Sequence, residues 1–228
     1  MTLLHDPKLE ALLATLHSAS EAQDGAIGSY FERRIKEGTL SWKGFDEETH
    51  RFFRDKMVAL EEEKAEFCYG LCRALRARRI VECGTSFGVS TLYLAAAIRD
   101  ELALAPNEKG VVIATEYEPE KAKIARANFE AAGLSAFIDL REGDLNETLK
   151  VIEGPVDFVL LDIWVEAVVP ALRHIWPNLR QGAVIIADNT EQSRPGYAPY
   201  FEFIADPKNR LRTMTLPFRG GLEMTIKV

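Results

Sequence analysis

The sequence is short of basic residues. Its 228 residues carry 28 Lys and Arg against 35 Asp and Glu, a net charge of −7 with His neutral. Neutralising nucleic-acid phosphates needs a basic face, so this balance argues against a dedicated nucleic-acid binder. Cysteine is scarce too, limited to Cys68, Cys72 and Cys83. An odd, sparse set in a chain this long is no disulfide framework, and reduced thiols in a cytoplasmic protein are expected. Long apolar runs are missing. Stretches such as 156–161 and 183–187 are strand length, well short of the roughly 18 residues that a membrane-spanning helix requires. The first residues lack a basic start followed by an apolar run, so no secretory signal is expected. What remains is an ordinary globular balance, 47% hydrophobic and 28% charged, which is ample for a packed core and excludes wholesale disorder.

Residues 1–78 read as helical and contain no convincing strand. Leu9, Leu12, Leu13 and Leu16 recur at three- and four-residue spacing and give one apolar helix face. Gly38, Trp42 and Gly44 mark a loop. One long helix is then expected over about 46–76, opening on Asp46, Glu47 and Glu48 and closing on Arg73 and Arg76, the charge order that suits a helix dipole. From residue 79 the pattern changes to strand (79–83), helix (89–98), strand (110–115), helix (118–132, stopped by Gly133) and a weaker strand (136–141). Strands at 156–161 and 183–187 follow, with helical sequence at 165–176 between them. Alternation of this kind builds a parallel sheet with helices on both faces. Strands at 212–217 and 222–228, split by Phe218-Arg219-Gly220-Gly221, read as an antiparallel hairpin. The expected fold is α/β: a Rossmann-like, doubly wound, mostly parallel seven-stranded sheet with a C-terminal antiparallel hairpin and an N-terminal helical cap. The division expected is 1–55 for the cap and 56–228 for the sheet domain.

The segment Glu82-Cys83-Gly84-Thr85-Ser86-Phe87-Gly88-Val89-Ser90 joins the first strand to its helix. Ligands of open α/β sheets sit at the carboxyl ends of the strands, near the switch in strand order. Two glycines four apart let a backbone pass close to a ligand. A dinucleotide fingerprint would need glycine where Ser86 stands, and a phosphate loop would need Gly-Lys-Ser/Thr. A nucleoside ligand without a clasped pyrophosphate is favoured. The second strand ends in Thr115-Glu116, followed by Tyr117, and a carboxylate there can accept both ribose hydroxyls. Gly143-Asp144 follows the third strand, where an adenine edge would lie.

The ordered set Glu82, Gly84, Gly88, Glu116 and Asp144 resembles the class I methyltransferases that bind S-adenosylmethionine (SAM), and among them the catechol O-methyltransferase-like family. The resemblance covers roughly residues 55–228. It implies that the loop carrying Glu82, Gly84, Thr85, Ser86, Gly88 and Ser90 holds the methionine part of SAM. It implies further that Glu116 and Tyr117 lie at the ribose, and Gly143 and Asp144 near the adenine.

The fourth strand ends in Asp162-Ile163-Trp164 and the fifth in Asp188-Asn189. If the two strands are neighbours they lie roughly 5 Å apart, so these side chains can converge. Two carboxylates and an amide are hard oxygen ligands that suit Mg²⁺ or a similar divalent cation. In the resembled family the matching residues hold such a metal, which chelates a diol, and the tryptophan packs on adenine. The resemblance therefore implies Asp162, Asp188 and Asn189 as metal ligands, Asp162 as a catalytic residue beside the cofactor, and Trp164 as an adenine contact. A competing reading makes Asp162 a helix cap and Asp188-Asn189 a turn. The chain departs from the family at three places. Val165 stands where a catalytic lysine is expected, Ile163 where a histidine is expected, and Met214 near the place of a substrate-binding glutamate. Glu166 is an alternative base.

Other chemistry-bearing residues are expected to be structural. Cys68, Cys72 and Cys83 read as buried thiols. His5, His17, His50 and His174 lack metal-ligand spacing, although His50 could reach the site from the N-terminal region. Tyr197, Tyr200, Phe201 and Ile204 recur at helical spacing and read mostly as packing. Arg194 and Tyr197 are candidates for a substrate wall. The functional expectation is a SAM-dependent O-methyltransferase acting on a small hydroxylated molecule, with a divalent metal, no nucleic-acid partner and no membrane. The N-terminal helices are expected to cover the acceptor side or to form a homodimer contact. The alternatives are a methyltransferase for hydroxylated tRNA bases and a non-catalytic SAM- or nucleotide-binding module.

Overall fold

The computed structural model describes residues 3–41 and 44–228, so Trp42 lies outside the described residues. Four helices come first: α1 (Pro7–Glu21), α2 (Asp24–Lys36), α3 (Glu47–Phe53) and α4 (Glu62–Leu75). Asp6 caps α1 by accepting the Leu9 N–H at 3.1 Å, with Pro7 in the first turn, where its missing N–H costs nothing. Asp46 caps α3 in the same way through Thr49.

The single helix expected over about 46–76 is two helices separated by residues 54–61. The physical reason is competition for the backbone. The Met57 N–H donates to Gln23 Oε1 at 3.2 Å, and Ser20 Oγ donates to the Met57 carbonyl and accepts from Ala59 N–H, both at 3.1 Å. Met57 and Leu60 bury their side chains at the same time. The acidic start at Glu47 and Glu48 belongs to α3, and a second acidic start, Glu62 and Glu63, opens α4.

The remaining elements alternate: β1 (Arg79–Cys83), α5 (Val89–Leu104), β2 (Val111–Glu116), α6 (Pro119–Ala132), β3 (Ile138–Glu142), α7 (Leu145–Thr148), β4 (Val156–Leu161), α8 (Val165–Ile175), β5 (Leu179–Asp188), α9 (Ala198–Ala205), β6 (Leu211–Leu216) and β7 (Leu222–Lys227). The strands form one seven-stranded sheet in the order β3-β2-β1-β4-β5-β7-β6. The first five run parallel, and β7 is antiparallel to both β5 and β6, as the hairpin pattern predicts. Strand order reverses between β1 and β4, and that is where a doubly wound sheet opens a crevice.

Side chains alternate across the sheet. Ile80, Val112, Phe158 and Ile186 share one core with α1, α4, α5 and α6. Val81, Cys83, Val159 and Ile185 share the other with α8 and α9. Leu9, Leu13 and Leu16 of α1 belong to the first core, so α1 is packed into the sheet domain, and Arg99 of α5 ties it down through Asp6 at 2.6 Å. The segment that stands apart is α2–α3. It has its own organising centre in the buried Arg34, which bonds Asp46, the Thr39 carbonyl (2.8 Å) and Glu48 (3.0 Å). Tyr30 stacks flat on Phe52 beside it, with centroids 4.0 Å apart. All three cysteines are free and buried, as expected. Among the described residues no helix is long and apolar enough to cross a membrane.

Candidate active site

The loop between β1 and α5 is held from beneath by Glu82. Its carboxylate is fully buried and accepts hydroxyl hydrogen bonds from Ser90 (2.6 Å), Thr85 (3.2 Å) and Thr91. Burial pushes this carboxyl up to about 7, against the pull of those hydroxyls. Glu82 thus fixes the loop's shape and the start of α5, with its own oxygens already engaged. Thr91 was missed in the sequence. It stands one residue beyond the loop on the face of α5 that turns back to Glu82.

The two loop glycines answer to protein neighbours. Gly84 has φ +97°, and a Cβ there would meet the Asp162 carbonyl oxygen at 2.0 Å. Gly88 has φ +86°, and a Cβ would meet the Phe129 ring at 2.4 Å. The glycine spacing therefore serves close approach of the β4 end and of α6. The Asp162 N–H donates to the Cys83 carbonyl at 3.0 Å, which pins the β4 end against the loop.

Glu116 lies at the end of β2 and faces the same loop. Its carboxylate accepts the Ser86 N–H at 2.7 Å and the Glu118 N–H at 2.8 Å, and burial raises its pKa above the ordinary value. Tyr117 is exposed. Gly143 donates its N–H to the Glu116 carbonyl, and Asp144 caps α7 through Asn146. Residues 57–60 lie over the loop. The cavity between them is only about 10 Å³, lined by Met57, Leu60, Gly84, Ser86, Ser90 and Asp162 among others. That is room for a single water.

On the other side of the switch point Asp162 and Asp188 follow paired residues, since Leu161 pairs with Ala187. Burial comes first in raising the Asp162 pKa well above the ordinary range, and the charge of Asp188 adds to it. Burial also raises Asp188, while a neighbouring cation draws it back. That cation is Lys64 of α4. Its Nζ lies 2.6 Å from Asp188 Oδ1 and 2.7 Å from Glu61 Oε2, and the side chain is 1% exposed. Asp188 Oδ2 accepts from Asn189 Nδ2 at 2.7 Å, and the Asp188 carbonyl accepts from the buried Tyr197 hydroxyl at 2.7 Å. Asn189 takes the left-handed conformation, φ +57°, which asparagine tolerates best among side chains with a Cβ. Among the described residues no three or more His, Cys, Asp or Glu side chains gather as a metal cluster; the set here is two carboxylates and an amide. Lys64 was missed in the sequence, although a lysine four and eight residues before the buried Cys68 and Cys72 marks a charge on an apolar helix face.

Trp164 turns to the α2–α3 segment. Its ring meets Phe45 edge-on at 4.8 Å, Phe53 at 5.2 Å and the exposed His50 at 6.2 Å. Glu166 follows it in the first turn of α8 and accepts the Phe45 N–H at 3.4 Å, so it is a tether for this segment. Val165 and Ile163 are partly buried and carry no titratable group. Met214 is exposed on the sheet-edge strand β6. Tyr197 is sealed beneath Asp188, whereas Arg194 is more than half exposed and pairs with Glu191.

Residues 81–190 match the model of a methyltransferase domain. The chain is similar to a catechol O-methyltransferase of Mycobacterium tuberculosis, 32% identical over 133 residues covering 58% of this chain and 57% of that one. It is also similar to a catechol O-methyltransferase of Niastella koreensis, 27% identical over 136 residues, 58% of each. The matches thus span less than two thirds of those relatives' own lengths. A solved O-methyltransferase from Bacillus cereus in complex with SAH has the same fold, with a TM-score of 0.68 at 22% identity, over 79% of this chain and 88% of that one.

Proposed function

We propose that this chain, which carries a methyltransferase domain on a Rossmann-like fold, moves a methyl group from SAM to a hydroxyl oxygen of a small molecule. The observation that carries this reading is convergence at the β1/β4 switch point. The Glu82-supported loop and Glu116 lie on one side, and Asp162, Asp188 and Asn189 on the other. The catechol O-methyltransferase relatives support a small hydroxylated acceptor. SAM supplies a methyl already activated on a sulfonium, so the protein's main task is to align donor and acceptor in line. The C–O bond forms as the C–S bond breaks, the sulfonium becomes a neutral thioether, and the hydroxyl proton leaves to a base or to water.

In this reading Glu82 shapes the loop, the loop amides and Ser86 meet the methionine part, Glu116 exchanges its backbone partners for the ribose hydroxyls, and Gly143 and Asp144 border the adenine. Trp164 also borders the adenine, and Phe45 and Phe53, which meet its ring edge-on, wall the acceptor side from the α2–α3 segment. The same segment is the candidate contact for a second copy.

The donor chemistry at the β4 and β5 ends fits a divalent cation: the Asp162 and Asp188 carboxylates, which repel one another, are hard oxygen ligands, and the Asn189 amide, whose Nδ2 faces Asp188 Oδ2, would turn to offer its oxygen. Asp162, Asp188 and Asn189 would hold it, and it would make an acceptor hydroxyl easier to deprotonate. No lysine follows Trp164 to take the proton, so water or the exposed His50 is the available acceptor. The test is a methyl-transfer assay with isotopically labelled SAM and a panel of diols and phenols, read by product mass and position of the label. Transfer to oxygen supports the reading. Transfer only to nitrogen or carbon acceptors, or none with SAM bound, counts against it.

A further inference from the structure

The most unusual group in the site is a cation that belongs to the chain. Lys64 is 1% exposed, and its ammonium sits 2.6 Å from Asp188 Oδ1, in the place where a divalent ion would take that carboxylate. A buried charge persists only when paired, and this pairing joins α4 to the end of β5 across 124 residues of sequence. The second partner, Glu61, is 2.7 Å away on the same helix, and its side chain is 46% exposed. The ammonium therefore has one partner inside the site and one at its rim.

We propose that Lys64 is a built-in counter-cation that exchanges with the divalent ion. It neutralises Asp188 when no metal is bound, and it withdraws onto Glu61 when metal takes the carboxylate. The inference rests on the divalent reading of Asp162, Asp188 and Asn189 given above. The electrostatics favour an exchange. An ammonium and a dication on one carboxylate edge in a buried site repel strongly, because unit charges a few ångströms apart there interact far more than in water. A withdrawn Lys64 keeps one ion pair, so metal binding costs one contact and leaves the buried charge paired. Lys64 is thus a positioning residue that sets how tightly the ion is held and keeps the metal-free site folded.

The experiment is Mn²⁺ titration of the full chain by calorimetry, with thermal melting in chelator and in Mn²⁺. Lys64→Met, which removes the charge and keeps the chain length, is expected to bind Mn²⁺ at least about tenfold more tightly than the parent. Its melting temperature should fall in chelator and recover in Mn²⁺, while the parent's changes little. Unchanged or weaker Mn²⁺ binding by a folded Lys64→Met overturns the exchange. Lys64→Gln serves in the same way if the methionine variant does not fold. Should neither fold, Glu61→Gln decides alone, since it alters only a half-exposed carboxylate: at least threefold weaker Mn²⁺ binding supports the withdrawal, and an unchanged affinity overturns it. Absence of Mn²⁺ binding in the parent and in every variant, or binding that survives Asp162→Ala undiminished, removes the divalent reading itself and this inference with it.

Discussion

Replacing Gly84 by alanine perturbs the point where the β1–α5 loop meets the end of β4. Two costs are separable in the structure. The backbone has φ +97°, a region that side chains with a Cβ avoid at roughly 1–2 kcal/mol. The new Cβ would also lie 2.0 Å from the Asp162 carbonyl oxygen, a backbone atom that cannot rotate away. Relieving such overpacking costs about 1–3 kcal/mol, for a sum of roughly 2–5 kcal/mol. At about 2–4 °C per kcal/mol for a chain of this size, the melting temperature should fall by roughly 5–20 °C. Gly133→Ala is the control, because Gly133 has φ +70° but nothing within 4 Å of a Cβ. It carries the conformational cost alone, about 1 kcal/mol and a few degrees. Thermal unfolding followed by circular dichroism reads both, and calorimetry with SAM reads the loop. Displacing the Asp162 carbonyl should also weaken SAM binding at least about tenfold in Gly84→Ala and leave it unchanged in Gly133→Ala. Equal melting shifts in the two variants would refute the argument that Gly84 is required by the approach of β4.

Four further outcomes follow from the same geometry. Glu82 has its pKa raised to about 7, so in the wild type the unfolded chain ionises from about 4.5 upward while the folded chain holds the proton. Its contribution is full below the unfolded value and is lost as pH rises through 7; Glu82→Gln should flatten that part of a stability–pH profile by up to roughly 3 kcal/mol. Phe45→Ala removes the edge contact to Trp164 and should raise the acceptor KM while leaving the SAM Kd unchanged in calorimetry. Asp162→Ala and Asp188→Ala should each abolish turnover with SAM binding nearly intact, and excess chelator should do the same to the wild type in the methyl-transfer assay. Glu116→Ala frees the Ser86 amide and removes the proposed ribose acceptor, and should weaken SAM at least about tenfold with little change in melting temperature.

The centre of the sheet was legible because β1, β2, β4 and β5 carry short apolar runs that are almost wholly buried, and such runs announce themselves without help from distant residues. Only the ends escaped. β5 begins at Leu179, four residues before the apolar stretch, because Arg180 and Gln181 sit at a partly exposed edge of the strand. The break between α3 and α4 was not legible, since it depends on Ser20 and Gln23 reaching across to residues 57–59. The site divides in the same way. Glu82, Gly84, Glu116, Asp162 and Asp188 stand at or next to strand ends, and Gly88 opens α5, so the strand pattern places them in the crevice and the family resemblance suggests their roles. Lys64 reaches Asp188 only through the packing of α4 on the sheet, and its partner lies too far along the chain for any local pattern to reveal. The role of the glycines was also hidden, because Phe129 and the Asp162 carbonyl approach them only in the folded chain.

We propose above that the loop at the β1/β4 switch point, with Glu116, receives SAM. Calorimetric titration of the full chain with SAM and, separately, with NAD⁺ tests it most directly. Saturable binding of one SAM per chain is expected, weakened at least about tenfold in Gly84→Ala and in Glu116→Ala, with no heat from NAD⁺. Tight NAD⁺ binding without SAM binding would contradict it.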